Sequence, residues 1–447
     1  MDYTLLQEQI RLNLKDSSSD VYDIINPLQP YDIAEIIKGL DHDEQISLLP
    51  LISIPIAAET IEYLDPEQQY HILQHLPIAF SSPLFKQMSS DTVVDMLLAI
   101  HPLQAERLLE FLPMDYRKKI NQLMTYPEDT AGSLMTVDFI SARTYWSCEQ
   151  TLQHIRKVGH EAELVSYIYV TDTRGILVGV VSLKELIFAS PDTRLEHIIT
   201  EDVVCVPADM EQEEAAIILS RYDLIALPVI NHERRLVGII TVDDVFDVIQ
   251  EEATEDFQKL GGSQPLEDTY FKTSSMQLFS KRIIWLLVLF IGGAYTSNVL
   301  AYYQDAVNKI VALSFFIPLL IGTGGNTGSQ IVSTLVRALG VGEVVFKDVF
   351  RVIKKELLTG VLLGISLGIV AYIRAFLLDV EFHIGYVVAL SALAIVLWSS
   401  LVSAFLPLLL HRLKIDPAVV SGPLISTLVD GTGLMIYFTI AKWILQV

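Results

Sequence analysis

Three spacings of apolar residues succeed one another along the chain. Up to about residue 130 they recur at helical intervals in short runs. Leu64-Asp65-Pro66-Glu67 reads as an N-cap aspartate with proline in the first helical position, and Ser89-Ser90-Asp91 opens another helix over Val93–Ile100. Leu76-Pro77 and Leu112-Pro113 close similar units, which predicts a right-angled or superhelical stack of helical hairpins. From 133 to 248 the spacing shortens and repeats itself. Val178–Leu186 returns 59 residues later as Val237–Val245, each copy following a β-rich run and a turn (Tyr167–Asp172, Leu227–Asn231) and each opening a helix. Met135-Thr136 and Ile199-Thr200 mark the upstream starts of the two copies. Beyond 281 the chain becomes five apolar spans: Ile283–Tyr303, Ile310–Leu339, Leu357–Leu378, Tyr386–Leu410 and Ala418–Leu445. Each meets the roughly 20 residues that a helix needs to cross a bilayer.

Charge divides at the same place. Of the 54 acids, 46 precede residue 281, against 19 of the 31 Lys and Arg, so this half carries 19 − 46 = −27 and the rest 12 − 8 = +4. A body this anionic is directed at cations and would repel nucleic acid and anionic lipid, so no nucleic-acid partner is expected, while the apolar half is expected in the lipid bilayer. Nine Lys and Arg flank one set of span ends (Lys281, Arg282, Arg337, Lys347, Arg351, Lys354, Lys355, Arg412, Lys414) and three the other (Lys309, Arg374, Lys442). That bias places the large body in the cytoplasm of a cell (inner) membrane protein and, with five spans, the C-terminus outside. The start, Met1-Asp2-Tyr3-Thr4, has no basic and apolar leader pattern, so no cleaved signal is expected. Cys148 and Cys205 have no metal-ligand spacing, and a reduced cytosol is expected for them. The ten His residues read as scattered, without a paired cluster, so zinc chemistry is not expected.

Two spans carry chemistry that lipid-facing helices avoid. The second holds Pro318 and then Gly322–Gln330, with Gly325, Asn326 and Gly328; the fifth holds Pro423, Asp430, Gly431 and Gly433. Glycine and proline would loosen these helices, and freed backbone groups at membrane depth survive only in protein or beside water. Close packing through small residues explains the glycines equally, yet not Asn326 and Gln330 at the same depth. Asp430 lies midway along its span, where a charge costs at least ~2.5 kcal/mol. No Lys or Arg occurs near the middle of any span, which leaves a protonated acid, water or a metal cation as its partner. Asp416 stands at the mouth of the same span, as an ion ligand or as an N-cap before Pro417.

Between Asp243 and Asp256 there are seven acids and no base, with Asp244, Asp247, Glu251 and Glu255 on one helical face. This acidic helix leads through Gly261-Gly262 and Pro265 to the first span, and cations that cancel its repulsion would dock it. Hard oxygen ligands suit Mg²⁺ or Ca²⁺. Glu59, Asp91 and Asp95 read locally as solvated helix acids.

The duplicated segment resembles a tandem CBS pair, a β-α-β-β-α module repeated twice. In that family a small hydroxyl residue and an acid three positions on contact a nucleotide; here the second copy keeps Thr241 with Asp244, and the first has Ser182 with Glu185. The whole chain in turn resembles the MgtE-type magnesium transporters. The matching segments are Tyr126–Thr136, Tyr222-Asp223-Leu224, Glu252–Asp256, Gly324–Gln330, and Asp416-Pro417-Ala418 with Asp430. The fold class is therefore multidomain: an α-helical superhelical domain (1–130), an α/β tandem CBS pair (131–248), an acidic linker helix and connection (249–280), and an α-helical membrane domain of five transmembrane helices (281–447).

The resemblance implies a homodimeric Mg²⁺ channel, with a pore on the dimer axis and Asp430 as the selectivity acid; on the physical reading Ser426, through its carbonyl, and Gly325, Asn326 and Gly328 of the second span are the candidate pore residues beside it. It implies inhibitory Mg²⁺ sites using Asp416, Glu213, Asp223, Asp244, Asp247, Glu252, Glu255 and Asp256, with Glu59, Asp91 and Asp95 contributing from the first domain. It also implies that ATP can bind the CBS pair, through Ser182, Glu185, Thr241 and Asp244, although Glu185 and Leu224 depart from the family's pattern. An anion channel and a metal-sensing receptor that transports nothing are the rival readings. An enzyme is excluded for want of any nucleophile–base arrangement or phosphate loop.

Overall fold

The computed structural model describes residues 3–16, 18–160, 162–266 and 269–446. Met1 and Asp2, on which the reading of the chain's start rests, lie outside them. The chain divides into two compact units, 1–249 and 250–447.

In the first unit, ten short α-helices run from Tyr3 to Leu123 among the described residues. The Leu-Pro pairs are junctions: Leu76 ends one helix and Pro77 caps the next, which suits a residue that cannot continue a helix but can start one. A 24-residue repeat underlies the stack. The buried Gln45 donates through Nε2 to the carbonyls of Ile37 (2.9 Å) and Leu40 (3.1 Å). Gln69 does the same for Ile61 (3.1 Å) and Leu64 (2.9 Å). Each glutamine thereby satisfies the open C-terminal carbonyls of a preceding helix. Ile33, Ile36, Ile37, Leu48, Leu49 and Ile61 fill the core between layers.

The helical pattern also hid one cluster. His42, His71 and His75 come together, with ring centroids 4.0 Å and 4.7 Å apart, so the ten histidines are not all scattered. His71 and His75 are one helical turn apart, and the adjacent helix supplies His42. The first two rings are nearly parallel (11°), so their in-plane nitrogens do not converge, and the cluster is packing.

Among the described residues six strands form two sheets: β1 (Phe139–Arg143), β2 (Leu164–Thr171) and β3 (Leu177–Ser182), then β4 (Val206–Pro207), β5 (Ala226–Ile230) and β6 (Leu236–Thr241). In each sheet the first two strands are parallel and the last two antiparallel, as expected of a repeated β-α-β-β-α module. The leading segments cross over, however. Thr136 pairs with Ile239 of the second copy, and Thr200 with Val180 of the first, so each copy completes the other.

In the second unit, five helices among the described residues are long and apolar enough to cross a membrane: Ser275–Tyr302, Val311–Gly340, Phe346–Leu377, Phe382–Arg412 and Gly422–Leu445. The first and third begin several residues before their apolar stretches. Ser274 caps the first, and Arg351, Lys354 and Lys355 simply continue the third. Hydropathy marks the part of a helix that meets lipid; hydrogen bonding sets its ends. The fifth begins four residues later than expected, at Gly422, because Ser421 is its N-cap.

The second and fifth spans are not broken by their glycines and prolines. The α-helices Ile317–Gly340 and Gly422–Leu445 are continuous, with Pro318 and Pro423 in their first turns. The glycines serve contact. A Cβ on Gly324 would lie 2.7 Å from Ile395 and Val429, and one on Gly328 would lie 2.4 Å from Ile425 and 2.8 Å from the hydroxyls of Ser399 and Ser403. Ser399 donates to the Gly324 carbonyl at 2.7 Å, a polar tie between the second and fourth spans. Trp398 donates to Thr432 at 2.9 Å, and Tyr437 to the Leu313 carbonyl at 2.9 Å. The fifth span is thereby held on both sides.

Candidate functional site

Asp430 lies one turn beyond Ser426 on the fifth span and is half-buried. Its neighbours in sequence are structural: Val429 packs on Gly324, and Gly431 meets the Tyr295 ring of the first span. No charged group among the described residues acts on Asp430. Ser426 presses on Gly325, whose added Cβ would lie 2.9 Å from the Ser426 hydroxyl. Gly325 and Gly328 are thus buried in helix contacts, while Asn326 and Gln330 of the same helix are exposed on its other face. The stretch has two faces, one for packing and one polar.

The mouth of the fifth span is built around Asp416. Its Oδ1 accepts from the backbone N–H of Ala418 at 2.8 Å, capping the short turn Pro417–Val419. Its Oδ2 accepts from Lys259 Nζ at 2.6 Å. Asp416 is therefore both a cap and an ion-pair partner. Lys259 is in the last turn of the acidic linker helix, which runs from Val242 to Leu260, and its ammonium also contacts Glu255 one turn back. Burial by itself would lower Lys259, but its hydrogen bonds to Asp416 and Glu255 raise its pKa overall. Asp256 is pushed up to about 6 by burial and then by Asp416, partly opposed by Lys259. Beyond the helix end, Gly262 has φ 74° and lies flat against Trp285, which itself donates to Ser421 Oγ at 3.2 Å. Only glycine fits there, since a Cβ would stand 2.7 Å from the indole.

A second group of acids gathers in the first unit. Ser89 N–H donates to Glu62 at 2.7 Å, and the Ser89 hydroxyl contacts the Asp91 carboxylate. Burial, then repulsion from Glu59 and Asp244, lifts Glu62 to about 7, against the hydrogen bond from Ser89. Asp91, only 9% exposed, is raised by burial and by Glu163 and Asp95; Asp244 is raised by burial and by Asp91. The more open Glu163 is pushed the same way by partial burial and by Glu62 and Asp244. Asp138 is raised by burial although Lys119 stands 3.7 Å away.

The first unit therefore brings Asp91 and Asp244 together, with Glu59 and Asp95 as exposed outer members. Asp247 is exposed one turn along, Glu252 is half-buried, and Glu213 and Asp223 stand exposed at the two ends of the helix Gln212–Arg221, Asp223 with φ 51°. Sequence reasoning missed Glu62, Asp138, Glu163 and Lys259. The signals for two of them were present: Glu62 follows Glu59 by one turn, and Lys259 follows Glu255 by four residues.

Among the described residues no group of three or more His, Cys, Asp or Glu side chains is arranged to hold a bare metal ion. The donors nevertheless fit Mg²⁺, which keeps most of its waters and takes one or two carboxylates. Carboxylates raised by burial and then by one another are what a divalent cation would relieve. The hydroxyl–acid pairs of the CBS copies close on themselves. Ser182 Oγ donates to Glu185 at 2.7 Å and Thr241 Oγ1 to Asp244 at 2.5 Å, each at the start of a helix.

A five-span membrane protein with a CBS-bearing acidic body is the class these features define. Family models match residues 28–129 as the MgtE intracellular N domain, 131–192 and 195–251 as CBS domains, and 317–440 as the MgtE divalent cation transporter. The magnesium transporter MgtE of Thermus thermophilus is 36% identical over 99% of this chain and all of its own length. That of Bacillus subtilis is 31% identical over 99% of this chain and 98% of its own. Two solved structures resemble the first part of the chain. One, the cytosolic domain of the Mg²⁺ channel MgtE in complex with ATP, has 35% identity and a TM-score of 0.51, and covers 55% of this chain and 99% of its own. The other, the soluble part of a magnesium transporter, has 27% identity and a TM-score of 0.52, and covers 56% and 100%. The chain belongs to the MgtE magnesium transporter family.

Proposed function

We propose that the protein is a homodimeric Mg²⁺-selective channel that carries Mg²⁺ inward and is closed by Mg²⁺ bound to its cytoplasmic acids. The observation that carries the reading is Asp430, a carboxylate midway along an apolar span with no charged partner among the described residues. A pair of such acids on a dimer axis, with Ser426 one turn away, would hold a largely hydrated Mg²⁺ through its waters, attracting a divalent ion yet letting it leave. Two features support a second copy. Asn326 and Gln330 face outward at membrane depth, where lipid would leave them unsatisfied, and only 6% of the apolar window of the first span is buried.

Closure follows from the acids. At low Mg²⁺ the carboxylates around Glu62, Asp91 and Asp244 repel, as do Glu252, Glu255 and Asp256. Bound Mg²⁺ cancels both repulsions, and the continuous helix Val242–Leu260, which carries acids of both groups, transmits the change to the mouth at Asp416. An ion at ~100 times its dissociation constant contributes about 2.7 kcal/mol per site, so a few sites shift a balanced gate almost fully.

Purified protein in liposomes tests this directly. It should pass Mg²⁺ and not Cl⁻, and the flux should fall when millimolar Mg²⁺ reaches the body side. Chloride flux would favour the anion-channel reading; no flux with intact Mg²⁺ binding would favour a receptor. ATP binding at the Ser182–Glu185 and Thr241–Asp244 pairs is a subsidiary proposal. It requires nucleotide to open both closed pairs, and equilibrium dialysis with labelled ATP would show it.

A further inference from the structure

The mouth contains a cation already. One ammonium, Lys259, bonds Asp416 Oδ2 at 2.6 Å and contacts Glu255, and Asp256 lies near enough for both Asp416 and Lys259 to act on its charge. The other oxygen of Asp416 is engaged by Ala418 N–H at 2.8 Å. Asp416 therefore has no oxygen left that is not already serving a donor. A Mg²⁺ ion that reaches Asp416 through Oδ2, or Glu255 through the oxygen that Lys259 contacts, competes with the ammonium, because an ammonium and a divalent cation on one oxygen repel at short range. Lys259 is in the last turn of the linker helix, and Gly262 and Trp285 fix the chain just beyond it. Lys259 also borders a cavity of about 190 Å³, lined by Ser263, Gln264, Pro265, Ile284, Trp285 and Val419, so its side chain is not packed on every side.

We propose that Lys259 is a tethered counter-ion of the gate: it holds the linker helix to the mouth of the fifth span when Mg²⁺ is absent, and competes with Mg²⁺ for Asp416 and Glu255 when it is present. The proposal rests on the reading that Mg²⁺ closes the channel through these acids. A tethered competitor sets the threshold of the sensor. Its presence shifts the Mg²⁺ midpoint upward by the factor by which the latch is populated, so that cytoplasmic Mg²⁺ must rise well above the intrinsic affinity of the site before closure completes. The latch also limits how far the gate opens at low Mg²⁺, since one of its contacts persists without metal.

The test uses the full chain, wild type beside K259M and K259R, with two readouts. Protease cleavage of the linker in detergent is followed against Mg²⁺ concentration, beginning in EDTA, and open probability is recorded in bilayers under the same conditions. K259M should cleave faster and open more in EDTA, yet reach protection and closure at a Mg²⁺ concentration about three to ten times lower than wild type. K259R, which keeps the charge, should stay near wild type. Opposite shifts in one variant are the signature, because lost packing alone would weaken both states. An unchanged K259M overturns the proposal. So does a K259M midpoint that moves to higher Mg²⁺, which would make Lys259 part of the metal-bound structure. Should K259M fail to fold, K259Q takes its place, judged by the same shifts. If wild type itself does not close on Mg²⁺, the regulatory reading fails separately, and cleavage in EDTA still decides whether Lys259 latches the helix.

Discussion

At the scale of single residues, Asp430 and Gly328 separate chemistry from packing on facing helices. Asp430→Ala should lower Mg²⁺ flux by tenfold or more, roughly what losing 1.4 kcal/mol of ion stabilisation implies, while the melting profile stays near wild type. Flux and selectivity at wild-type level would remove Asp430 from the pore. Gly328→Leu should do the reverse. Its side chain would meet Ile425 and the hydroxyls of Ser399 and Ser403 in a contact that already lacks room for a Cβ. Overpacking of this kind costs about 1–3 kcal/mol or more, so detergent-solubilised protein should melt several degrees lower. Both residues sat in Gly- and polar-rich stretches whose importance was plain from composition. The face each one presents was not, because period 3.6 places residues on a helix without saying which neighbour the helix will meet.

At the scale of elements, the linker helix is the informative one. Asp244, Asp247, Glu255 and Asp256 converted together to amides should yield a channel that remains open at Mg²⁺ concentrations that close the wild type. Normal closure of this variant in bilayer recordings would leave the helix as a solvated connector. The acids at its start also make a pH prediction. Glu62 is raised from 4.5 to about 7, chiefly by burial. A raised carboxyl contributes stability that is fully present below its unfolded value and is lost as pH rises through the folded one. Without Mg²⁺, the first 249 residues of the full chain should therefore resist protease better at pH 5 than at pH 8. The difference from Glu62 alone is on the order of 2 kcal/mol. Millimolar Mg²⁺, unlike K⁺ of equal ionic strength, should restore resistance at pH 8 and flatten the profile. A flat profile without Mg²⁺ would show that these acids are not held together. The charge run was legible from the sequence. Lys259 was passed over because it lies three residues beyond the last acid of the run, and its value comes from a partner 157 residues away.

At the scale of the whole molecule, the charge division and the five spans set the expected orientation. Lys442 lies over the Tyr303 ring at 4.9 Å at one end of the spans, while Arg412 lies over Phe346 at 4.5 Å at the end where Asp416 meets Lys259. Aromatic and basic anchors of this kind mark the two interfaces of a bilayer. A cysteine introduced at Gln446 should react with an impermeant thiol reagent from outside intact cells, and one at Glu110 only after permeabilisation. The reverse labelling would invert the topology and with it the side from which Mg²⁺ is proposed to act. A dimer makes a further demand: cysteines at Asn326 should cross-link between copies if this polar face lines a shared axis.

The sequence by itself determined the elements and their order. Helical stack, duplicated α/β module, acidic helix and five spans all follow from the period of apolar residues, the turn and cap chemistry, and runs longer than a bilayer is thick, each of which is a local property. The sequence also marked Asp430 and the linker acids, since an isolated charge in an apolar span and a run of one sign are visible without a fold. Tertiary structure alone decided which copy each leading β segment completes, that the glycines of the second span are contact surfaces within an unbroken helix, and that His42 meets His71. It alone joined Glu62 and Asp91 to Asp244 and brought Lys259 to Asp416. These are pairings between residues far apart in the chain. Their energies depend on burial and distance, and neither is written in the spacing of residues along one segment.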